Sequence, residues 1–160
     1  MKVFISHQQK DSQLASKILT ELKSLNVDAY LDVFDDSLIS DSRALTEHLK
    51  DTVRRCSDIL VVMSNHTIRS WWVPFEIGIA ANQDLPTVTY LQNSVPLPGY
   101  LAYWPRLKKL PDIATYVSIR KQVVMREDVR KNVDFSIESF SHRRSTTEQF
   151  YEKLKASLYK

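Results

Sequence analysis

The sequence predicts an α/β fold, in which an open parallel sheet carries helices on both faces. Strand-like and helix-like segments alternate along the chain, as in parallel sheets whose strands are joined by helical crossovers. Residues 59–63 form an unbroken apolar run, as a strand covered on both faces requires. With 160 residues, 43% of them apolar and 26% charged, the chain has the size and composition of one soluble globular domain.

The first half of the chain contains two strand–helix units. Residues 3–6 form a short apolar strand, and Asp11 or Ser12 is placed to cap the following helix. Residues 29–32 form the second strand, which a polar loop at 33–42 follows. In both helices apolar residues recur every three or four positions, which predicts one buried face on each: Leu14, Ile18, Leu22 and Leu25, then Leu45, Leu49, Val53 and Cys56.

The second half continues the alternation. Residues 59–63 form the third, central strand, and a helix starts near Pro74, which suits a first turn, and runs to about residue 82. Residues 87–91 and 115–119 are expected to be the fourth and fifth strands, whereas 120–144 show no clear pattern. A capping-box pattern precedes an apolar stripe and predicts a C-terminal helix: Ser145 and Glu148, then Phe150, Leu154 and Leu158.

The expected topology is a flavodoxin-like sheet of strand order 2-1-3-4-5. We expect a single domain at 1–160, with a core at 1–119 and a charged extension and C-terminal helix at 120–160. In such sheets, ligand sites lie at the C-terminal strand ends where the strand order reverses. That point falls between the first and third strands, beside Ser6 and His7 on one side and Ser64 and Asn65 on the other.

Composition excludes several classes of site. Gly78 and Gly99 are the only glycines, too few for a Gly-x-Gly-x-x-Gly fingerprint, a Walker loop or a Gly-x-Ser-x-Gly elbow. The single cysteine, Cys56, excludes an internal disulfide and indicates a reducing compartment, so we expect a cytoplasmic protein. The four histidines lack metal-ligand spacing, so no metal is expected. No apolar run approaches the ~18 to 20 residues that span a bilayer, and no signal peptide is evident, so no membrane partner is expected.

An ordered set of motifs resembles the TIR (Toll/interleukin-1 receptor) domain family. The motifs are Val3-Phe4-Ile5-Ser6-His7, Lys10-Asp11, Tyr30-Leu31-Asp32 and Ser70-x-Trp72-Val73-Pro74-Phe75-Glu76-Ile77-Gly78. The resemblance covers residues 1 to about 105, where Tyr103-Trp104-Pro105 is its last element. It is closest to the stand-alone bacterial branch, such as the TIR proteins of Thoeris-type anti-phage defence. The Ser-x-Trp-x-x-x-Glu core is its most specific part.

The resemblance implies an enzyme that acts on NAD⁺. In catalytic TIR domains the glutamate of this motif, here Glu76, serves cleavage of the nicotinamide glycosidic bond, which yields ADP-ribose or a cyclic isomer. NAD⁺ is the substrate, and no cofactor is implied. A carboxylate near the ribose can stabilise the oxocarbenium-like charge left when nicotinamide departs. Placed in the first turn after Pro74, it would face the positive end of the helix dipole and stay ionised. The alternative is a glutamate that only caps its helix, although Val73 has no oxygen to complete a capping box.

The first box and the second strand supply further candidate substrate-binding residues. By resemblance, Phe4, Ser6 and His7 belong to the loop that lines the nucleotide pocket. His7 is alternatively a solvated loop residue. Asp32 either contacts a ribose hydroxyl or caps the loop that follows it.

Three more candidates precede Glu76. Ser70 is a plausible second polar contact with the substrate. Trp72 lies one helical turn before Glu76, where the family's tryptophan packs the domain and shapes the pocket wall. Trp71 either stacks on nicotinamide or adenine or covers an apolar patch.

The charge distribution suggests self-assembly. Residues 33–42 take the place of the family's BB loop but lack its Pro-Gly, and Asp35, Asp36 and Asp41 make the loop acidic. Residues 102–160 carry 13 basic and 7 acidic side chains. Head-to-tail pairing of the acidic loop with this basic region would build a homo-oligomer or filament. The basic charges are scattered, which favours a solvated face over nucleic-acid binding.

Two function classes compete with the NAD⁺-cleaving enzyme. A non-catalytic TIR scaffold would act through TIR–TIR assembly alone, whereas the enzyme would signal to a downstream effector through a nucleotide messenger. A nucleoside deoxyribosyltransferase-like enzyme is the nearest catalytic rival. A response-regulator phosphoacceptor is excluded, because the central strand ends in Ser64-Asn65 and not in aspartate.

Overall fold

The computed structural model describes residues 1–31, 42–92, 95–97, 99–133 and 140–159; at 42, 128–133 and 140–145 it describes the backbone alone. Within these residues, five parallel strands form one sheet in the predicted order 2-1-3-4-5. The strands are β1 Lys2–Ser6, β2 Asp28–Leu31, β3 Asp58–Met63, β4 Thr87–Leu91 and β5 Arg106–Leu107. The helices are α1 Ser12–Ser24, α2 Ser42–Arg54, α3 Trp72–Asn82, α4 Pro111–Val133 and α5 Phe140–Leu158.

Helices cover both faces of the sheet, as predicted. Alternate residues of β1 and β3 enter two separate apolar clusters because successive side chains of a strand point to opposite faces. Val3 and Leu60 pack with α1, α4 and α5, whereas Phe4 and Ile59 pack with α2 and α3. Every residue of β3 is buried, which confirms its central position. No helix in the described part of the chain has the length and apolar character needed to cross a membrane.

The predicted fifth strand is wrong. Residues 115–119 are rich in strand-favouring types, but they lie within α4. Their burial follows helical spacing, since Ile113, Tyr116 and Val117 all face the core. The real β5 is two residues long, Arg106–Leu107, too short to leave a periodic pattern. Tertiary packing therefore overrides local β-propensity in this segment.

One predicted helix cap and one predicted helix start are also wrong, although α1 begins at Ser12 as expected. Asp11 holds the position before α1, but its side chain makes no capping hydrogen bond, and the Ser12 hydroxyl donates to the Gln9 carbonyl. The helix α5 begins at Phe140, five residues before the predicted capping box at Ser145. Its stripe is confirmed, since Phe150 and Leu154 are fully buried and Leu158 is partly buried.

The C-terminal third is joined to the rest of the fold. The predicted division at residue 119 falls inside α4, and Phe150 of α5 shares a core cluster with β1 and β3. Two tyrosines of this region also satisfy strand amides. The Tyr151 hydroxyl accepts from the Thr87 amide at 2.8 Å, and the Tyr159 hydroxyl accepts from the Arg106 amide at 3.0 Å.

A buried ion pair fastens α4 to the N-terminal end of β3. Asp58 is fully buried, and its Oδ1 accepts from Arg120 Nε at 2.8 Å and from the Tyr116 hydroxyl at 3.2 Å. The Ser57 hydroxyl donates to Oδ2 at 2.7 Å. Burial raises the pKa of Asp58, and the Arg120 guanidinium opposes that shift. The arginine also packs 5.6 Å from the Phe150 ring centre, so the pair connects β3, α4 and α5.

We expect Arg120→Met to lower the free energy of unfolding by about 3–5 kcal/mol, because it leaves a buried carboxylate without its charged partner. The matched control is Arg54→Met, which removes an exposed pair with Asp51 and should cost less than about 1 kcal/mol. Without Arg120 the pKa of Asp58 rises further, so protonation favours the folded variant. The difference in free energy of unfolding between wild type and Arg120→Met should therefore become smaller as the pH falls from about 7 to about 5. Urea denaturation measures both effects, and equal losses in the two variants would contradict this account.

Candidate functional site

Ser6 and Glu76 meet at the carboxyl end of the sheet, where the strand order reverses. Ser6 is the last residue of β1, and its hydroxyl donates to Glu76 Oε2. Glu76 lies on the inner face of α3 beside Val73, Ile77 and Ala80, which pack toward the sheet. Only 1% of Glu76 is exposed, and Ser6 is fully buried. The arrangement is a shielded carboxylate at the edge where open parallel sheets bind ligands.

The position of Glu76 corrects one expectation. The helix α3 begins at Trp72, so Glu76 is its fifth residue and not a member of the first turn. The helix dipole acts mainly within the first turn and gives the carboxylate little support there. Ser70 caps the helix instead, since its Oγ accepts from the Trp72 and Val73 amides, each at 3.2 Å. Glu76 is therefore held by Ser6 across the fold and is not the cap of its own helix.

A second buried carboxylate joins the loops that follow β1 and β3. Asp11 is 5% exposed, and its Oδ2 accepts from the Ser64 hydroxyl at 2.6 Å and the Thr67 hydroxyl at 2.9 Å. We call Asp11, Ser64 and Thr67 the Asp11 latch. The sequence predicts a helix cap at Asp11 and does not predict this contact. The available signal was the pair of hydroxyls, Ser64 and Thr67, directly after the central strand.

His7, which directly follows Ser6 in the chain, is buried, so the solvated-loop interpretation is wrong. It is 8% exposed, and its Nε2 lies 3.3 Å from Ser12 Oγ. Desolvation lowers the pKa of His7 below its ordinary 6.5, while the Ile5 carbonyl and the Asp11 carboxylate oppose the shift. The neutral imidazole is therefore favoured in the folded protein. A contact between His7 and substrate stays a prediction.

The other predicted site residues differ in how deeply they are buried. Phe4 is fully buried and its ring lies 5.8 Å from that of Tyr30, so it acts in the core beneath the site. Trp72 is partly buried and packs against the cluster between the sheet, α2 and α3, as predicted. Trp71 is 95% exposed and covers no apolar patch in the described part of the chain. Asp32 and loop residues 33–41 lie outside the described residues, so what the sequence predicts for them stays a prediction.

Acidification should destabilise the protein partly through His7. Because the pKa of His7 is lower in the folded state than in the unfolded chain, the unfolded chain takes up its proton first. Stability is therefore lost as the pH falls below about 6.5. In urea titrations, we expect the free energy of unfolding of His7→Gln to fall less steeply between about pH 7 and about pH 5 than that of wild type. The control His66→Gln alters an exposed histidine and should keep the wild-type slope; equal slopes in all three proteins would contradict the prediction.

This chain is similar to a family model, a curated relative and a solved structure. The family model described as TIR domain matches residues 3–122. A curated relative from Cytobacillus dafuensis, named "Putative cyclic ADP-D-ribose synthase TIR2", is 32% identical over 79 residues, which are 47% of this chain and 21% of the relative. The chain thus spans about a fifth of that relative's length. The TIR domains of the activated Roq1 resistosome directly recognizing the pathogen effector XopQ align over 97% of this chain and 81% of theirs, with 16% identity and a TM-score of 0.46. Since the family model covers well over half of the 160 residues, the chain belongs to the TIR domain family.

Proposed function

We propose that this TIR domain cleaves the bond between nicotinamide and ribose in NAD⁺, with Glu76 as the catalytic carboxylate. The supporting observation is the buried Glu76 carboxylate, which Ser6 holds at the carboxyl edge between β1 and β3. The relative named as a cyclic ADP-D-ribose synthase supports the same substrate class. NAD⁺ enters as the substrate, and the reaction needs no further cofactor.

The chemistry suits a shielded carboxylate. When the glycosidic bond breaks, nicotinamide leaves as a neutral molecule with the bonding electron pair, and the ribose becomes oxocarbenium-like. Negative charge is most effective against this developing positive charge where water is excluded, and Glu76 is almost fully buried. The Ser6 hydroxyl orients one carboxylate oxygen, and a ribose hydroxyl is the natural partner for the group once substrate enters.

The product is either ADP-ribose or a cyclic isomer. Attack by water on the ribose carbon gives ADP-ribose and releases a proton, whereas attack by a nitrogen of the same substrate closes a ring. The name of the relative favours the cyclic product. We propose that the product serves as a messenger to a downstream effector in anti-phage defence, inside the cytoplasm and from a self-assembled form of the protein.

A non-catalytic scaffold is the second candidate, and one observation favours it. Trp71, Ile68 and Phe75 are exposed apolar side chains at the start of α3 and just before it. Large apolar side chains that are exposed and close together in the chain can contribute to a protein-contact surface. Such a surface would let the domain act by TIR–TIR assembly alone, so the tests below include outcomes that select the scaffold.

We expect Glu76→Gln to lower nicotinamide release at least about 100-fold, because it removes the charge while keeping size and a hydrogen-bond acceptor for Ser6. Concentrated protein is incubated with NAD⁺ and the products are identified by mass spectrometry. The matched control, Glu47→Gln, changes an exposed glutamate of α2 and should retain full activity. A co-product one water lighter than ADP-ribose identifies cyclisation.

Other outcomes of that experiment select other functions. If wild type leaves NAD⁺ intact even in extract from infected cells, the scaffold becomes the better account. Turnover of nucleosides in place of NAD⁺ would identify a deoxyribosyltransferase-like enzyme. Equal nicotinamide release by wild type and Glu76→Gln would remove Glu76 from the mechanism.

Trp71 provides a separate test of substrate stacking. If it stacks on a ring of NAD⁺, Trp71→Ala should raise KM about 5-fold or more, since base–aromatic stacking contributes roughly 1–3 kcal/mol. Trp71→Phe keeps an aromatic face and serves as the control. The melting temperature should not change, because the side chain is 95% exposed. An unchanged KM together with activity that is lost on dilution would instead assign Trp71 to assembly.

A further inference from the structure

The Asp11 latch connects two loops that are distant in sequence. Asp11 ends the short turn Gln9–Asp11 that follows β1, whereas Ser64 directly follows β3 and Thr67 opens the turn Thr67–Arg69. All three residues are buried. One carboxylate oxygen of Asp11 accepts from both hydroxyls, so a single atom joins the two loops.

The latch also shapes the chain between β3 and α3. While Ser64 donates its proton to Asp11, its oxygen accepts from the His66 amide at 2.9 Å and the Thr67 amide at 3.2 Å. The Thr67 carbonyl then accepts from the Ser70 amide at 2.9 Å. Ser70 in turn caps α3. An unbroken series of hydrogen bonds therefore runs from Asp11 to the first turn of the helix that carries Glu76.

The hydrogen bond between Ser6 and Glu76 links the far end of this series back to the segment that carries Asp11. Glu76 lies one turn beyond the capped start of α3 and accepts from Ser6, which is five residues before Asp11 in the chain. The segment 6–11 is thus attached at two points to the segment that runs from the end of β3 into α3. Ser6 binds Glu76, and Asp11 binds Ser64 and Thr67. Two points of attachment fix the helix start against rotation about either one.

We propose that Asp11 is a positioning residue for Glu76: through Ser64 and Thr67 it sets where α3 begins and hence where the carboxylate meets the substrate. The inference rests on the proposed function, and it assigns Asp11 no contact with NAD⁺. Displacement of a reacting group by about 1 Å can cost on the order of 100-fold in rate, so loosening the helix start should act on turnover.

Thr67→Val tests the proposal, because it removes one hydroxyl of the latch at nearly constant volume. Thr67→Ser is the conservative variant, which keeps the hydroxyl. Thr89→Val is the matched control: Thr89 is a fully buried threonine of β4, and its Oγ1 has no hydrogen-bond partner among the described residues. Activities are measured per folded molecule, at a temperature where circular dichroism shows each variant to be folded.

The expected result is a fall in kcat of about 10-fold or more for Thr67→Val with KM within about twofold of wild type. Thr67→Ser should restore kcat to within about twofold, and Thr89→Val should match wild type. A structural role alone would lower the melting temperature of Thr67→Val without changing kcat per folded molecule. Wild-type kcat in Thr67→Val would therefore overturn the proposal, as would an equal loss in Thr89→Val.

Amide hydrogen exchange provides a measurement that does not depend on turnover. If the latch holds the helix start, residues 66–77 should exchange at least about 10-fold faster in Thr67→Val than in wild type, and not in Thr89→Val. Unchanged exchange across 66–77 would overturn the proposal. If Thr67→Val exchanges faster but wild type does not cleave NAD⁺, the latch still positions α3 and only the proposed function is rejected. Failure of the positioning proposal can therefore be told from failure of the proposed function.

Discussion

The burial of β3 is the constraint on which the rest of the structure depends. A strand covered on both faces must be apolar along its length, so polar groups are confined to its two ends. At the N-terminal end Asp58 binds Arg120 and attaches α4 to the sheet. At the C-terminal end Ser64 binds Asp11 and organises the approach to α3. One strand thus separates a structural ion pair from the candidate catalytic edge.

Three buried carboxylates are stabilised in three different ways. Asp58 has a guanidinium partner as well as two hydroxyl donors, whereas Asp11 accepts from two hydroxyls. Glu76 accepts from the Ser6 hydroxyl at the carboxyl ends of the parallel strands. Asp11 and Glu76 both lie near the carboxyl ends of β1 and β3, where open parallel sheets bind ligands. Glu76 is the catalytic candidate because it meets Ser6 at this end of the sheet and belongs to the Ser-x-Trp-x-x-x-Glu motif.

Much of the fold and part of the site could be predicted from the sequence. Apolar stripes predicted α1 and α2, Pro74 predicted the start of α3, and short apolar runs predicted β1 to β4. The resemblance to TIR domains placed Ser6 and Glu76 in one site. The fifth strand could not be predicted, because residues 115–119 combine β-favouring side chains with helical burial and only the packing of α4 decides between them. The role of Asp11 was missed for a related reason. Its partners lie 53 and 56 residues away, and a local pattern cannot report such contacts.

The hydrogen bond from the Arg106 amide to the Tyr159 hydroxyl makes the two borders of the sheet unequal. An edge strand with unused amides is a template on which another chain can add a strand. At β5 the Tyr159 hydroxyl already accepts from the Arg106 amide, so this amide is not available to another chain. The opposite border, β2, has no further strand beside it in the described sheet and carries partly buried apolar side chains. Another strand that paired with β5 would therefore first have to displace Tyr159 from the Arg106 amide.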